Sequence, residues 1–418
     1  MFRLFVLAVL IAGPARAQDP LEKGIAALQK HDLAVAQAAF EEASRRAPGD
    51  PVPWVWLARV EAEAQKPGEA LEAARKAEAL GGDDPKVLQT LANLYASSIP
   101  DPAKAADLGR RYAERSPQDT TAWRRLAAYC LSTRQPERAI EAGTRGMAGD
   151  NSAQMHGLLG RAYAETGQWG KAVAELSEAV KLSPYDEDAR FQLAQVYLRQ
   201  PDFAAAVRVL EEARQIFDKS PQIELALGVA YYGKRDFAKA VDQFLKTIRL
   251  APDVPQPYLF LGKLLEHAGD RIPEIVASLR EREAANPRDA LARVLHAKAI
   301  VSGLPPSEWT PQAAEALSLV ESALALKEDD ADAHYLAGLL LERKGEFALA
   351  ATHLERSIAL NPKDAAPHFR LARVYARLGR MADSAREREL HLKLSEEEGA
   401  MGGRGVPVEP PAAKAPGK

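Results

Sequence analysis

A chain of 418 residues that is 47% hydrophobic and 27% charged can bury a large core, and its net charge of −3 excludes a strongly basic nucleic-acid footprint. Only 6% of residues are aromatic and alanine is abundant, which suits close-packed helices better than sheets. The one cysteine, Cys130, excludes an internal disulfide and reads as a small buried apolar residue rather than a reactive thiol.

The chain begins MFRLFVLAVLIAGPARAQDP. Arg3 gives a short positive start, Leu4 to Gly13 an apolar stretch, and Ala15-Arg16-Ala17 a small-x-small cleavage site. This is the pattern of a secretory signal peptide over residues 1–17, with a mature start near Gln18. The apolar stretch is shorter than the roughly 20 residues a spanning helix needs, so an uncleaved anchor is the lesser alternative. No cysteine follows it, which argues against a lipid-modified N-terminus. The expected location is the bacterial envelope, most simply the periplasm.

From there a self-similar period runs along the chain. Small residues recur at Gly24, Ala58, Ala92, Ala127, Gly160, Ala194, Gly228, Gly262, Ala297, Gly338 and Ala372, mostly 34 residues apart. Leucine precedes this anchor at Leu57, Leu91, Leu126, Leu159, Leu193, Leu227, Leu261 and Leu371. Three residues after it stand Tyr95, Tyr163, Tyr197, Tyr231 and Tyr375, and twelve after it Ala36, Ala70, Ala139, Ala172, Ala206 and Ala240. Units close on Pro48, Pro117, Pro184, Pro252, Pro287 and Pro362.

In the cleanest unit Leu158, Leu159, Ala162 and Tyr163 recur at helical spacing until Gly167, which can take the left-handed conformation that ends helices. Val173, Leu176, Ala179 and Val180 form a second stripe, stopped at Pro184. Each unit is therefore a helical hairpin, with Gly160 and Ala172 permitting close approach and Tyr163 filling the space beside them. One hairpin cannot cover its own apolar face, so neighbours must stack into a solenoid. Ala27, Glu61, Ile275 and His296 depart from their columns, and looser packing is expected there.

These columns resemble the tetratricopeptide repeat family, on Leu159, Gly160, Tyr163, Ala172, Ala179 and Pro184 within one unit. The resemblance covers almost the whole mature chain. It implies an all-α, right-handed α-solenoid of about eleven hairpins over residues 18–394, which binds other proteins. The charged final helix suits an open solenoid end in water, and the Gly/Pro/Ala-rich residues 395–418 read as a disordered tail.

No HExxH, GxSxG, phosphate loop or CxxC pair occurs, and the repeats leave no stretch for a catalytic domain. The reading is non-enzymatic, without cofactor or metal. His334 and His368 share a column of adjacent units; ordinary packing outweighs a metal pair, since no third ligand accompanies them. The acidic clusters GGDDP, YDEDA and EDDADA lie between units, where aspartate caps the next helix. The insertion SGLPPSEWTPQ lengthens one turn; Thr310-Pro311 makes a helix start, against which Trp309 packs or beside which it stays exposed.

In the resembled family the first helix of each hairpin lines a concave groove. The corresponding residues are Arg124, Arg161, Phe191, Gln195, Arg199, Tyr232, Lys263, Tyr335, Arg343, Phe369, Arg373 and Arg377, with Trp56, Arg59 and Asn93 in the same columns. Aromatics and arginines are common interface anchors, and the arginines suggest an acidic or carboxylate-terminated peptide. The expected function is a protein-interaction scaffold in the envelope, with peptide or protein partners and no nucleic acid. The alternatives are an assembly subunit of an envelope complex, such as polysaccharide export or outer-membrane assembly, and, less favoured, a repeat-bearing glycosyltransferase-like enzyme.

Overall fold

The computed structural model describes residues 19–305 and 309–402. The expected signal peptide lies outside them. Among the described residues the regular elements are 22 α-helices and two short 3-10 segments, in two compact units, the first ending in sequence at Pro184 and the second beginning at Tyr185.

The first unit holds five hairpins: α1 (Pro20–Gln29) with α2 (Leu33–Arg46), α3 (Pro51–Glu63) with α4 (Pro67–Gly81), and α5 (Pro85–Ser97) with α6 (Pro102–Arg115). It continues with α7 (Thr120–Ser132) and α8 (Pro136–Gly146), then α9 (Ala153–Glu165) and α10 (Trp169–Leu182). The second unit pairs α11 (Glu187–Arg199) with α12 (Phe203–Ile216), α13 (Pro221–Gly233) with α14 (Phe237–Leu250), and α15 (Gln256–Leu264) with α16 (Ile272–Ala285). Its last three hairpins are α17 (Ala290–Ser302) with α18 (Pro311–Leu326), α19 (Ala331–Lys344) with α20 (Phe347–Leu360), and α21 (Ala365–Arg377) with α22 (Met381–Gly402). The expected all-α solenoid of hairpins is the fold.

The helix ends follow from the sequence. Asp84, Asp186 and Asp330, one from each acidic cluster, cap α5, α11 and α19 by accepting the amides of Val87, Ala189 and Ala333 at 3.1–3.2 Å. Thr310 caps α18 in the same way, through the amide of Ala313. The closing prolines sit two residues past the last helical residue, as Pro184 does after Leu182, where the lost N–H costs nothing. Seven residues after the anchor the chain turns through the left-handed region, at Gly167, Gly345 and Gly379 but also at His31, Gln65, Arg134 and Arg235. The side-chain-bearing residues there accept a conformation that favours glycine.

All the anchors are buried, and at four of the five glycine anchors what packs on them is the residue sixteen further on. A Cβ placed on Gly160 would meet Leu176 Cγ at 2.5 Å and its backbone nitrogen at 3.2 Å. Gly24 and Gly228 accommodate Phe40 and Phe244 in the same way, and Gly338 accommodates Leu354. Leu176, Phe40, Phe244 and Leu354 are all fully buried. Ala172 is enclosed as expected, but Tyr163 is only half-buried, so Leu176 rather than Tyr163 fills the space at the anchor.

The fourth hairpin differs: a Cβ on Gly143, sixteen residues after Ala127, would meet Leu159 of the following hairpin at 2.7 Å. A cavity of about 380 Å³ opens nearby, floored by Trp123, Leu126, Cys130 and Ala142 and rimmed by Arg110, Arg138 and Arg145. Burial pushes the Cys130 thiol up, consistent with its reading as an apolar core residue.

The departures resolve individually. Ile275 is buried, but its hairpin is distorted: two 3-10 segments replace the usual turn, and Gly262 packs against Leu295 of the following hairpin. His296 replaces a leucine yet is buried, with Nδ1 2.9 Å from Glu283. Glu61 is buried and paired with Lys66 at 3.2 Å. The last helix runs on to Gly402, past the expected boundary at residue 394, because the glutamates after Ser395 are good helix formers; residues 403–418 lie outside the described chain.

The anchor geometry has a direct test. Gly160→Val should lower stability in urea unfolding by about 1–3 kcal/mol, because Leu176 must move. Gly157→Val, one turn earlier in α9 where a Cβ meets nothing within 4 Å, should stay within about 0.5 kcal/mol of the parent.

Candidate interaction face on the first helices

Residues three before, one after and five after each anchor lie four apart, so they form one stripe along the first helix. Phe369, Arg373 and Arg377 make this stripe on α21, and Tyr335, Leu339 and Arg343 on α19. On α11 it is Phe191, Gln195 and Arg199. Whether such a side chain reaches solvent depends on the hairpin packed beside it.

The structure brings the C-terminal members together in the second unit. Glu342 on α19 accepts from Arg370 on α21 at 3.2 Å and forms an ion pair with Arg373 at 3.2 Å. Arg343, its neighbour in sequence, has Nε and Nη1 enclosed without a hydrogen-bond partner. Burial, then the Arg370 charge, lowers the Arg343 pKa from the ordinary guanidinium value. Phe369 is 44% exposed, with the Arg373 guanidinium 5.9 Å from its ring centroid and His391 at 5.2 Å. Arg377 is exposed. Tyr335 is half-buried against the core of these hairpins.

A second aromatic group lies on α13 and α15. Half-buried Tyr232 meets Phe260 edge-on at 5.5 Å and Phe237 at 5.9 Å, and Lys263 lies 5.7 Å from the Phe260 ring. In the first unit Trp56 stacks on Phe40 at 5.7 Å with Arg59 over its ring, and Arg161 is exposed. Trp309 is 37% exposed, with Lys344 5.8 Å from its ring.

One expectation for this face needs correction, and two further residues are placed by their surroundings. Phe191 is 2% exposed and belongs to the core of the second unit, because the next hairpin packs over its column. Arg124 pairs with Asp150 at 2.7 Å and so ties α7 to the start of the following hairpin. Gln195 is half-buried. Conversely Phe260, Arg370 and Glu342 are part of the face and were missed, although Phe260 and Arg370 stand in the column of Trp56 and Leu158.

The histidines form latches inside hairpins rather than a column of stacked neighbours. His156 Nδ1 lies 2.6 Å from Glu175, and His368 Nδ1 2.6 Å from Glu387. His334 Nδ1 instead faces His353 Nδ1 at 3.0 Å, while its Nε2 donates to the Glu328 carbonyl at 2.9 Å. A carbonyl only accepts, so His334 Nδ1 carries the lone pair and His353 donates to it. The column tyrosines join successive hairpins: Tyr231 donates to Glu211 and Tyr375 to Glu355, both at 2.7 Å. Burial, then these carboxylates, pushes each phenol up to about 12, so both stay donors. Among the described residues no three His, Cys, Asp or Glu side chains are placed to hold a metal, and no helix is long and apolar enough to cross a membrane.

Family models of the tetratricopeptide repeat match residues 160–200, and 21–85 with 338–387. A model described as an outer membrane lipoprotein matches residues 183–339. No curated protein matches the chain. Similar solved structures include the C-terminal part of a TPR repeat-containing protein from Cytophaga hutchinsonii, 14% identical, covering 69% of this chain and 99% of that one with a TM-score of 0.46. Yeast Tom70 is 15% identical over 90% of this chain and 91% of that one, with a TM-score of 0.39. YrrB, described as a TPR protein with an unusual peptide-binding site, is 21% identical over 43% and 93%, with a TM-score of 0.37.

The His334–His353 latch gives stability a sign with pH. Burial, then His334, lowers the His353 pKa below its ordinary value, so the unfolded chain takes up the proton first. The contribution is present above about pH 6.5 and lost as pH falls through the lowered folded value. His353→Gln should flatten the stability slope between about pH 7 and 5 relative to the parent, as measured by urea unfolding at each pH.

Proposed function

We propose that this chain, which carries tetratricopeptide repeats over the segments the family models match, is a non-enzymatic scaffold of the bacterial cell envelope that binds partner peptides or proteins on its first-helix face. The observation that carries the reading is Phe369, a large ring left 44% exposed beside Arg373 on that face. Aromatic and arginine side chains side by side are what interfaces most often use as anchors. Tyr232 with Lys263, and the exposed Arg161, Arg199 and Arg377, extend the same chemistry within their own units. Export is supported by the signal-like first 17 residues.

A second reading, an assembly subunit of an envelope complex, is favoured by the outer membrane lipoprotein model that matches residues 183–339. The two differ in whether the partner is permanent. In both, the first helices supply the contact and the second helices supply support.

Photo-crosslinking in cells tests the shared core of these readings. A benzophenone amino acid replacing Phe369 should give a discrete protein adduct, while the same group replacing Leu349, 53% exposed on second helix α20, should not. An adduct at Leu349 alone, or at neither position, would count against the first-helix face. An adduct that survives purification of an outer-membrane complex favours the assembly subunit.

A further inference from the structure

The column tyrosine of the fourth hairpin is replaced by Cys130, three residues after the anchor Ala127. In other hairpins that ring is clasped from two sides. The residue twenty earlier, on the preceding second helix, meets its outer end: Tyr231 donates to Glu211 and Tyr375 to Glu355. The residue eight later, on the hairpin's own second helix, lays a cation over the ring. Lys171 stands 5.2 Å from the Tyr163 centroid, and Lys239 5.2 Å from that of Tyr231.

In the fourth hairpin both sides of the clasp persist around a smaller side chain. Arg110 on α6 stands twenty before Cys130, and Arg138 on α8 eight after it. Both line the cavity of about 380 Å³ whose floor is Trp123, Leu126, Cys130 and Ala142. That cavity is therefore the place of the column phenol, opened because a thiol stands where other hairpins carry a ring. It is ample for one, since about 150 Å³ of apolar cavity holds benzene. Its floor is buried while Arg110, Arg138, Glu141 and Arg145 are exposed, so the mouth opens on solvent.

The lining specifies what enters. The floor favours an apolar body. Arg138 donates to a neutral partner, Gln135, at 2.8 Å, and keeps its charge for a ring as Lys171 and Lys239 do. Arg110 is a donor where Glu211 and Glu355 accept, so the outer end of the ring must offer an acceptor. A phenol oxygen does so, and Tyr95 shows the pairing within this chain, with Arg75 twenty before it. Burial, then Glu78, raises the Tyr95 phenol, while the Lys104 and Arg75 charges oppose that rise. The rim offers a polyanion or an anionic membrane little field to follow, since Asp107 and Glu114 pair with Arg110 and Glu141 with Arg145. A free phenol would be left partly in water at such a mouth, whereas a side chain brings its own backbone to cover it.

We propose that the cavity between α6 and α8 receives a tyrosine side chain of a partner protein, which completes from outside the column that Cys130 leaves open. The site goes beyond the first-helix reading, because its mouth lies between two second helices and uses none of the first-helix stripe.

The test uses the purified chain and p-cresol, the tyrosine side chain as a free molecule, with binding read by saturation-transfer NMR. The parent should give transfer to the ring protons, and Cys130→Tyr should abolish it, because the chain then supplies its own ring. The same variant should raise the thermal midpoint by filling the cavity. If Cys130→Tyr fails to fold, Ala103→Trp, at an exposed position of the lining, carries the same expectation of lost transfer. In cells, a benzophenone amino acid replacing the exposed Glu141 should give a protein adduct that maps beside a tyrosine of the partner. Adding Cys130→Tyr should remove that adduct and leave one at Phe369 unchanged, so the cavity and the first-helix face fail independently. No transfer in the parent, or transfer that survives these variants, overturns the proposal. Transfer without an adduct at Glu141 makes the ligand a free phenol and overturns the partner protein; an adduct that maps away from any tyrosine overturns the choice of side chain.

Discussion

Each regular hairpin depends on how closely its two helices approach at one small residue. At Gly160 there is no room for a Cβ, because Leu176 occupies that volume. Volume is exchanged across the pair: opposite Gly24, Gly160, Gly228 and Gly338 stand Phe40, Leu176, Phe244 and Leu354, sixteen residues later. Interiors pack near crystal density, so a shortfall cannot simply be absorbed. Where Gly143 follows the anchor Ala127, Leu159 of the next hairpin takes up the volume instead. In the last hairpin the equivalent of Leu176 is Arg388, exposed to water, as suits the end of an array.

Close helices within a hairpin would be of little use without ties between hairpins. Tyr231 and Tyr375 reach back to glutamates on the preceding second helix, and Arg124 reaches forward to Asp150. Each tie is a charge-assisted bond, partly shielded from solvent, and is therefore worth more than the exposed i,i+4 pairs along the second helices. The first helices are thus held from two sides while their outer stripe is left over. Where no neighbouring hairpin covers that stripe, as at Phe369, Arg373 and Arg377, its residues can vary with little effect on the fold.

The fold was legible because its determinants repeat. Eleven anchors, the closing prolines and the inter-unit aspartates report the same geometry many times, so one ambiguous unit does little harm. The distorted hairpin around Gly262 was flagged by Ile275, though the 3-10 segments themselves leave no pattern in the sequence. The face was less legible, since its side chains are singular. Phe191 and Phe369 occupy the same column, and only the presence or absence of a covering hairpin makes one core and the other surface. The pairing of His334 with His353 rather than His368 depends on a contact within the hairpin, nineteen residues away, that the column alignment of first helices does not display.

Net charge hid the sign of the C-terminal face for a related reason. Many of the acids in this chain are committed to structural positions: Asp84, Asp186, Asp236, Asp289, Asp330 and Asp364 cap helices, and Glu175, Glu355 and Glu387 serve latches or ties. A carboxylate that caps a helix is already satisfied by backbone amides and contributes little to a distant face. On α19 and α21 Arg370 and Arg373 share the single carboxylate of Glu342, so a chain of −3 overall can carry a local excess of positive charge. The enclosed donors of Arg343 are the extreme case. In the free chain their desolvation is unbalanced, and packing elsewhere in the last hairpins must offset it.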